Sequence, residues 1–534
     1  MTRLLCAASA AALMASSLSA SAEYRLTILH INDLHSRIEP ISRFDGTCGA
    51  EDDAAGECFG GVARLKTFLD ERRAALAAEG RNVLVLDAGD QFQGSLMYTT
   101  YKGAAEAEFM NAIGFDVMAV GNHEFDDGPE KLAEFIDAVD VPVVSGNLDV
   151  SAEPLLAGKV GGAMVIEVGG ERIGIVSALA ADTVETSSPG PNVVFADEVE
   201  SVAAQAAALT ADGVSKIVAL THVGLPMDIR IAQGASGVDA IVGGHSHTYL
   251  SSSDAEASGP YPVMADGADG VQVPIVQAYA YSKYVGELEL VFDDAGVVVS
   301  AEGDAHVLDA SVEADAGVAA RVAELAGPIE ELKATVVGAT SAPIDGARES
   351  CRAGECEMGN LVADAMLDRV ADQGVTLAIQ NGGGLRASID AGEVTMGEVL
   401  TVLPFQNTLA TFRLSGAGVV AALENGVGRV EDGAGRFPQV AGLRYTWDPA
   451  LPAGERIVSV EVKDGGGWAP IDPEAVYGVV TNNYMRGGGD GYDVFATDGM
   501  DAYDFGPGLE QVVADYIAAQ GEYAPFLDGR VATP

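Results

Sequence analysis

The chain has 534 residues, of which 48% are hydrophobic and 6% aromatic, and its formal net charge at pH 7 is −49. This length is too great for one hydrophobic core, so we expect two large domains. The apolar content excludes a disordered chain. The negative charge excludes binding to a nucleic-acid polymer, which requires a basic face. A small anionic substrate would need local positive charge, supplied by metal ions or a few arginines.

The first 22 residues have the pattern of a secretory signal peptide. Arg3 precedes a short apolar stretch, and small residues at Ala20 and Ala22 predict cleavage after Ala22. No later apolar stretch approaches the ~20 residues of a spanning helix, and the C-terminal FLDGRVATP is not a lipid-anchor tail. We therefore expect an exported protein, periplasmic or secreted, without a membrane anchor. The lack of an Asn-x-Ser/Thr glycosylation acceptor favours a bacterial periplasm.

Four cysteines lie outside the predicted signal, in two close pairs. In an oxidising compartment the favoured interpretation is two local disulfides, Cys48–Cys58 and Cys351–Cys356. A four-cysteine zinc site is the alternative, although neither pair has the usual zinc-knuckle spacing.

Strand-like apolar runs alternate with helix-like stretches from Tyr24 to about residue 310. The runs are RLTILHI, NVLVLDAG, DVMAVGN, RIGIVSAL, KIVALTH and DAIVGGH. This alternation predicts a layered α/β domain over residues 23–310. The pattern of residues 311–333 predicts a helix that links the two domains and acts as a hinge. Gly327 and Pro328 are expected to interrupt this helix. Residues 334–534 predict a second, mixed α/β domain.

Histidine, aspartate and asparagine follow five of the predicted strands. Because the carboxyl ends of parallel strands meet at one edge of a sheet, these side chains should converge. Imidazole and carboxylate groups suit zinc, manganese or iron. With one shared carboxylate, seven ligands could hold two ions with four ligands each: Asp33, His35, Asp90, Asn122, His222, His245 and His247.

Other polar residues near these strands favour structural interpretations. His30, inside a strand pattern, is expected to be a packed core histidine, and His306, without a companion, to be exposed. Glu124 is expected to orient its loop. Asp87 is expected to lie inside a strand, although it could compete with Asp90 as a ligand.

The motifs NDLH, GDQFQGS, GNHEFD, THVG and GHSH, in this order, resemble the calcineurin-like dinuclear metallophosphatases and, more narrowly, the 5′-nucleotidase family. The resemblance implies a four-layer αββα sandwich. It implies one ion bound by Asp33, His35, Asp90 and His247, and a second bound by Asp90, Asn122, His222 and His245. His247 stands where relatives often have Gln or Asn. Zinc is the first expectation for both ions, with manganese, cobalt or iron as alternatives.

The resemblance also implies the chemistry. Two cations ~4 Å apart lower the pKa of a water between them toward ~7 and clamp a phosphate, so that the activated water attacks phosphorus directly. His123 is implied as the group that stabilises charge on the transferring phosphoryl group or the leaving oxygen. Asp126 is implied as its orienting partner.

The C-terminal half carries a second set of family motifs. ESCRAGECEMGNLVADAM, NGGGLR, LPFQNTL and NNYMRGGGDGY resemble the family's nucleotide-binding half. There two aromatic rings sandwich the base, at positions that match Phe405 and Tyr484; Tyr484 replaces the more usual Phe. Asp490 matches the residue that accepts hydrogen bonds from ribose hydroxyls. Positions that contact the phosphate or the base edge are matched by Arg352, Asn381 and Arg386.

These observations predict an exported 5′-nucleotidase that hydrolyses nucleoside 5′-monophosphates, with nucleotide sugars as a further substrate class. The nearest alternative is a 2′,3′-cyclic-nucleotide phosphodiesterase with 3′-nucleotidase activity. A thiosulfohydrolase would share the metal domain but has no use for a base sandwich. A non-catalytic nucleotide-binding or surface-interaction protein is the alternative of another class. The sequence leaves open whether the chain is a monomer or a dimer.

Overall fold

The computed structural model describes residues 23–534 except 44, 46, 47, 182, 406, 465 and 505. The predicted signal peptide, residues 1–22, and its cleavage site therefore lie outside the described residues. Among the helices of the described part, none is long and apolar enough to cross a membrane.

The N-terminal half alternates strands and helices, as the sequence predicts. Its strands are β1 (Tyr24–Ile31), β2 (Ile41–Ser42), β3 (Cys58–Phe59), β4 (Asn82–Asp87), β5 (Val117–Ala119), β6 (Val143–Val144), β7 (Leu148–Asp149), β8 (Met164–Val168), β9 (Glu171–Leu179), β10 (Val194–Phe195), β11 (Ile217–His222), β12 (Ala240–Val242), β13 (Val263–Asp266), β14 (Gln272–Val276), β15 (Tyr284–Phe292) and β16 (Val298–Val307). Its helices are α1 (Ala50–Ala55), α2 (Val62–Ala78), α3 (Leu96–Tyr101), α4 (Ala104–Ile113), α5 (Gly128–Ala138), α6 (Thr183–Thr186), α7 (Glu198–Ala211) and α8 (Leu225–Gly234).

Two six-stranded sheets form the centre of this half. Their strand orders are β16-β15-β1-β4-β5-β6 and β13-β14-β12-β11-β9-β8. Strands β1, β4, β5 and β6 are parallel to one another, as are β9, β11, β12 and β14. Antiparallel strands flank the first sheet on one side, through β15 and β16, and the second sheet on both sides, through β13 and β8. The carboxyl ends of the central, parallel strands of each sheet therefore all lie on the same side of that sheet, where the strands end.

Alternating side chains pack these sheets into four layers. In β1, Leu26 and Ile28 join the apolar cluster shared with the second sheet, whereas Leu29 and Ile31 join the cluster beneath α2, α4 and α5. This period of two is the strand repeat. The outer face of the second sheet packs on α7 and α8 in the same way. The layers are helix, sheet, sheet and helix, so the predicted αββα sandwich is confirmed.

One long helix, α9 (Ala316–Lys333), follows the sandwich. The side chain of Asp315 caps it by accepting the N–H of Val318 at 2.8 Å. The interruption expected at Gly327 and Pro328 is wrong, because the helix continues through Pro328. Its buried side chains join the apolar cluster of the N-terminal half: Val318, Val322, Leu325 and Ile329. This packing supports the helix across the proline.

The C-terminal half is also mixed α/β. Its strands are β17 (Val336–Thr340), β18 (Leu377–Asn381), β19 (Gly392–Thr395), β20 (Leu409–Ser415), β21 (Pro438–Ala441), β22 (Leu443–Trp447), β23 (Ile457–Asp464), β24 (Gly467–Pro470), β25 (Val476–Asn482), β26 (Met500–Tyr503), β27 (Glu522–Tyr523) and β28 (Val531–Ala532). Its helices are α10 (Arg348–Cys351), α11 (Glu357–Arg369), α12 (Met396–Val402), α13 (Gly416–Val427), α14 (Asn483–Arg486), α15 (Asp493–Asp498) and α16 (Leu509–Gln520). The central sheet has the order β21-β18-β25-β20-β26, with α11, α12 and α16 packed against one side and α13 and α15 against the other.

Both predicted disulfides are present. Cys48 bonds to Cys58 and Cys351 bonds to Cys356, with Cα atoms 5.8 Å and 5.1 Å apart. The pairing consumes the four thiols and rules out the four-cysteine zinc site. The second disulfide lies beside Arg352 and so restrains the loop that carries this predicted substrate contact.

His30 is a packed core histidine, as expected. It is fully buried in β1, and its Nε2 lies 2.8 Å from the Tyr261 hydroxyl. His306 differs from the expectation: its ring packs near Phe68, and its Nε2 lies 3.4 Å from Glu287. The register of β15 with β16 supplies this companion, which local sequence does not reveal.

Burial of His30 predicts a loss of stability in acid. Burial lowers its pKa from 6.5 to about 3, so below pH 6.5 the unfolded chain takes up a proton that the folded chain excludes. Stability is therefore complete above pH 6.5 and declines as the pH falls toward 3, by about 2 kcal/mol at pH 5. His30→Gln lacks this titrating group. When the pH is lowered from 8 to 5, we therefore expect its free energy of unfolding to rise by about 2 kcal/mol relative to that of wild type. Calorimetry in the presence of a chelator should show this as a rise of about 4 °C in the unfolding temperature of the variant relative to wild type. If the difference in unfolding temperature between the two proteins were the same at pH 8 and pH 5, the assignment would be contradicted.

Candidate active site

The polar residues that follow the parallel strands lie together at one end of the packed sheets. Five of them have a left-handed backbone, with φ between 48° and 74°: Asp33, His35, Asp90, His245 and His247. Residues other than glycine seldom adopt this conformation, and such strain concentrates at functional sites. The backbone therefore marks this end of the sheets.

Asp33 connects the two sheets at this point. Its buried carboxylate accepts hydrogen bonds from the backbone N–H of His245 at 3.0 Å and from the side chain of Asn32 at 2.7 Å. Its Oδ1 also lies 3.3 Å from Nε2 of His247 and 3.8 Å from Nε2 of His35. Residues that follow β1 of one sheet and β12 of the other thus belong to one cluster.

The imidazole rings are oriented by backbone carbonyls. Nδ1 of His222 lies 2.7 Å from the carbonyl of Ala88, and Nδ1 of His35 lies 3.2 Å from that of Phe92. A carbonyl only accepts, so each Nδ1 carries the proton and a neutral ring presents the Nε2 lone pair inward. Nε2 of buried His222 lies 3.0 Å from Oδ2 of Asp90 yet has no hydrogen bond in suitable geometry.

Such converging lone pairs fit divalent cations. Three overlapping groups have candidate ligand atoms within 4.8 Å of one another: Asp33, His35 and His247; His35, Asp90 and His123; and Asp90, His222 and His245. Asn122 adjoins the last group, since its Oδ1 lies 2.8 Å from Nδ1 of His245. All seven sequence-predicted ligands are therefore in one cluster, with Asp90 between its two ends.

The charges of the cluster also favour a cation. Burial lowers the pKa of His222, but the carboxylates of Asp90 and Asp33 outweigh it and raise the pKa to about 10. Burial raises the pKa of Asp90, yet the charges of His222 and His123 hold it well below its usual range. Two buried carboxylates thus require positive charge beside them. Divalent metal ions meet this need and leave the histidines neutral to coordinate.

His123 and Asp126 form a hydrogen-bonded pair at the rim of the cluster. They lie at either end of the 3₁₀ turn His123–Phe125, and Nδ1 of His123 is 2.7 Å from Oδ2 of Asp126. The backbone N–H of His123 donates to Oδ1 of Asp90 at 2.9 Å. Burial lowers the pKa of His123, but Asp126 and Asp90 raise it to about 9. The pair can present a positively charged or proton-donating ring to a ligand at the cluster.

Glu124 holds the Asp90 loop, as expected. Its buried carboxylate accepts the backbone N–H groups of Asp90 at 3.0 Å and Gln91 at 2.7 Å, and that of Gly121 at 2.6 Å. Asp87 lies in β4, where its carboxylate accepts from the side chain of Gln91 at 2.6 Å. Its other oxygen accepts the N–H of Gly89 at 3.0 Å, and among the described residues Asp87 belongs to none of the three groups of candidate ligands.

A cavity of about 550 Å³ lies between the two halves of the chain. Its lining includes all six predicted substrate contacts: Arg352, Asn381, Arg386, Phe405, Tyr484 and Asp490. The Arg386 guanidinium lies 5.6 Å from the centre of the Phe405 ring. Asp490 accepts from Asn381 at 2.7 Å and from the Tyr484 hydroxyl at 3.2 Å. The Tyr484 ring lies over Gly489, where a Cβ would collide with it.

The ligand cluster lines an adjoining cavity of about 270 Å³. Four residues line both cavities and so join them: Arg37, Tyr281, Phe405 and Asn407. One elongated site therefore runs from the ligand cluster to the Phe405 and Tyr484 rings.

Sequence reasoning missed the residues that the N-terminal half adds to this site. Arg37 lies 5.2 Å from the centre of the Tyr281 ring, and Tyr279 and Arg43 line the larger cavity. Tyr279 and Tyr281 have positive φ, in the loop after β14. The sequence signal that could have marked them is the run AYAYSKY, which has three tyrosines in seven residues. With Arg352 and Arg386, Arg37 and Arg43 provide the local positive charge that an anionic substrate requires in an acidic protein.

Two protein-family models match this chain. Calcineurin-like phosphoesterase matches residues 26–249, and the 5′-nucleotidase C-terminal domain matches residues 336–497. These matches cover the half that holds the ligand cluster and the half that holds the aromatic rings.

Full-length relatives agree with the family models. A 5′-nucleotidase of Diplobatis ommata is 37% identical, covering 97% of this chain and 92% of the relative. The crystal structure of a 5′-nucleotidase precursor from Thermus thermophilus is 40% identical over 96% of this chain and 99% of its own, with a TM-score of 0.65. The NAD nucleotidase of Haemophilus influenzae is 29% identical over 96% and 99%, with a TM-score of 0.73. The chain is a metal-dependent phosphoric monoester hydrolase, and it belongs to the 5′-nucleotidase family.

Proposed function

We propose that this enzyme is an exported 5′-nucleotidase, periplasmic or secreted, that hydrolyses nucleoside 5′-monophosphates to nucleoside and phosphate. Nucleotide sugars are a second proposed substrate class. The observation that carries the proposal is the continuity of the two cavities through Arg37, Tyr281, Phe405 and Asn407. A phosphate at the ligand cluster and a base at the aromatic rings are parts of one nucleotide.

We assign two metal ions to the cluster, with Asp90 shared between them. Asp33, His35 and His247 complete one site, and Asn122, His222 and His245 complete the other. The mixture of imidazole and carboxylate ligands favours zinc, with manganese, cobalt or iron as alternatives. When bound, such ions supply Lewis-acid chemistry: they polarise the phosphate and lower the pKa of water toward about 7.

The surrounding residues orient the substrate and stabilise its charge. His123, held by Asp126 at 2.7 Å, would donate a hydrogen bond to a phosphoryl or leaving-group oxygen, where negative charge grows during the reaction. Phe405 and Tyr484 would stack on the base. Arg352, Asn381 and Arg386 would contact the phosphate or the base edge, and Asp490 would accept hydrogen bonds from the ribose.

The proposed domains are residues 23–310 and 334–534, joined by residues 311–333. Because α9 packs its apolar side chains onto the N-terminal cluster, we infer that any hinge motion occurs after Lys333, where α9 ends. Such a motion would open the cavity between the halves and admit the nucleotide.

A substrate panel with a Phe405→Ala variant tests the function. We expect wild type to prefer 5′-AMP over 2′,3′-cyclic AMP and over ribose 5-phosphate, which lacks a base. Loss of one stacking ring costs about 1–3 kcal/mol, so KM for 5′-AMP should rise about 5- to 150-fold with little change in kcat. KM for ribose 5-phosphate should not change.

Trp468→Ala, which removes an exposed ring of β24 in the same half, is the matched control and should leave both substrates unaffected. A preference for 2′,3′-cyclic AMP would favour the phosphodiesterase. No hydrolysis by the metal-loaded protein would favour a non-catalytic binding protein.

A further inference from the structure

Asp126 is held on both sides of its carboxylate. Oδ2 accepts from Nδ1 of His123 at 2.7 Å, and Oδ1 accepts from the hydroxyl of Ser187, also at 2.7 Å. Ser187 is 61 residues away in the chain and belongs to the loop that follows α6. It lies outside the motifs that identified His123 and Asp126.

The chain around Ser187 fixes the position of its hydroxyl. The backbone N–H of Ser187 donates to the carbonyl of Thr183 at 3.0 Å, and Thr183, fully buried, donates its hydroxyl to the carbonyl of Ala180 at 2.7 Å. Ala181 in turn donates its N–H to Glu198 of α7 at 2.8 Å. Ser187 is therefore anchored to the second sheet and its helix, independently of the loop that carries His123.

The C-terminal half covers this loop. Ser188 and Tyr503 of β26 line the same cavity between the halves, and Ser187 is only 7% exposed. A hydrogen bond shielded from water holds its geometry better than an exposed one, because water cannot replace either partner.

We propose that Ser187 is a positioning residue of the phosphate-ester hydrolysis: its hydroxyl fixes the plane of the Asp126 carboxylate and, through it, the orientation of the His123 ring. A carboxylate bound through one oxygen alone can rotate about its terminal torsion, which has a broad energy well. A donor on the other oxygen removes this freedom, so Nδ1–H of His123 has one direction. The proposal rests on the function proposed above, since it assigns His123 to the reacting phosphate.

Steady-state kinetics with 5′-AMP test the inference. Loss of a group that orients a functional histidine typically costs 10–100-fold, and we expect Ser187→Ala to lower kcat about tenfold at unchanged KM. Ser187→Thr, which restores the hydroxyl, should recover most of the loss. The double variant with Asp126→Asn should be no slower than Asp126→Asn alone, because both substitutions act through one network. An unchanged kcat in Ser187→Ala, or additive losses, would overturn the proposal.

A second measurement does not depend on turnover. In metal-free protein with ¹⁵N-labelled histidine, the Nδ1–H resonance of His123 is assigned by its loss in His123→Gln. We expect Ser187→Ala to shift or broaden this resonance and Ser251→Ala to leave it unchanged; Ser251 is a comparably buried loop serine, 5% exposed. An unchanged resonance in Ser187→Ala would refute the positioning role. A wild type inactive toward 5′-AMP whose resonance still responds would instead refute the proposed function alone.

Discussion

Replacing His123 with alanine is expected to lower kcat for 5′-AMP by about 10²–10⁴-fold, the range for a positioned proton donor or charge-stabilising group. The metal content should stay near that of wild type, because the carboxylates and other imidazoles of the cluster remain. Turnover kinetics and metal analysis on one purified sample check both statements.

His306→Ala is the matched control for this variant. His306 also pairs with a carboxylate, at 3.4 Å from Glu287, but it lies on β16 away from the cluster, so its loss should leave kcat unchanged. An unchanged rate in His123→Ala would remove the role assigned to His123. A parallel loss of metal would instead identify His123 as a ligand, as its place in one of the three candidate groups allows.

Replacing Asp90 with asparagine is expected to lower both metal content and turnover. Asp90 lies 3.0 Å from Nε2 of His222 and 3.7 Å from Nε2 of His35, so it contacts both ends of the cluster. Asparagine keeps the shape but removes the negative charge and replaces one carboxylate oxygen with an NH₂ group, which would not ligate a cation. We expect metal content to fall below two ions per chain. Because metal ions contribute several kcal/mol to catalysis, kcat should fall by about 10³-fold or more.

Asp87→Asn, three residues earlier at the end of β4, gives a close comparison. Burial raises the pKa of Asp87 well above its usual range, so its neutral form resembles asparagine, and its partners are Gln91 and Gly89 rather than the histidines. This variant should retain its metal and most of its turnover. Full metal content and activity in Asp90→Asn would show that the cations lie elsewhere.

The two halves of the site have different physical tasks. The ligand cluster is built on strand ends and strained loops of two packed sheets, which suits a centre whose atoms must stay within a few tenths of an ångström. The aromatic rings lie in the other half, Phe405 in a turn and Tyr484 in the short helix α14, where Tyr484 is 49% exposed. Stacking needs less exact placement than metal binding, because every base has a flat face.

Several features of the protein could be read from local sequence because they depend on short-range patterns. The apolar runs predict the strands, and polar residues at or shortly after the ends of β1, β4, β5, β11 and β12 predict a cluster once the strands are parallel. The close cysteine pairs predict the two disulfides, and the family motifs predict the ligands and the aromatic positions.

Other features were decided only by tertiary structure, because they join residues distant in the chain. Packing against the N-terminal core keeps α9 continuous through Pro328, where local propensity predicts a break. Strand register gives His306 its partner. The approach of the two halves brings Arg37 and Tyr281 beside Phe405, and the α6 loop brings Ser187 to Asp126. Local sequence determined which groups can carry the chemistry; long-range packing determined which of them meet, since contact depends on the folded path of the whole chain.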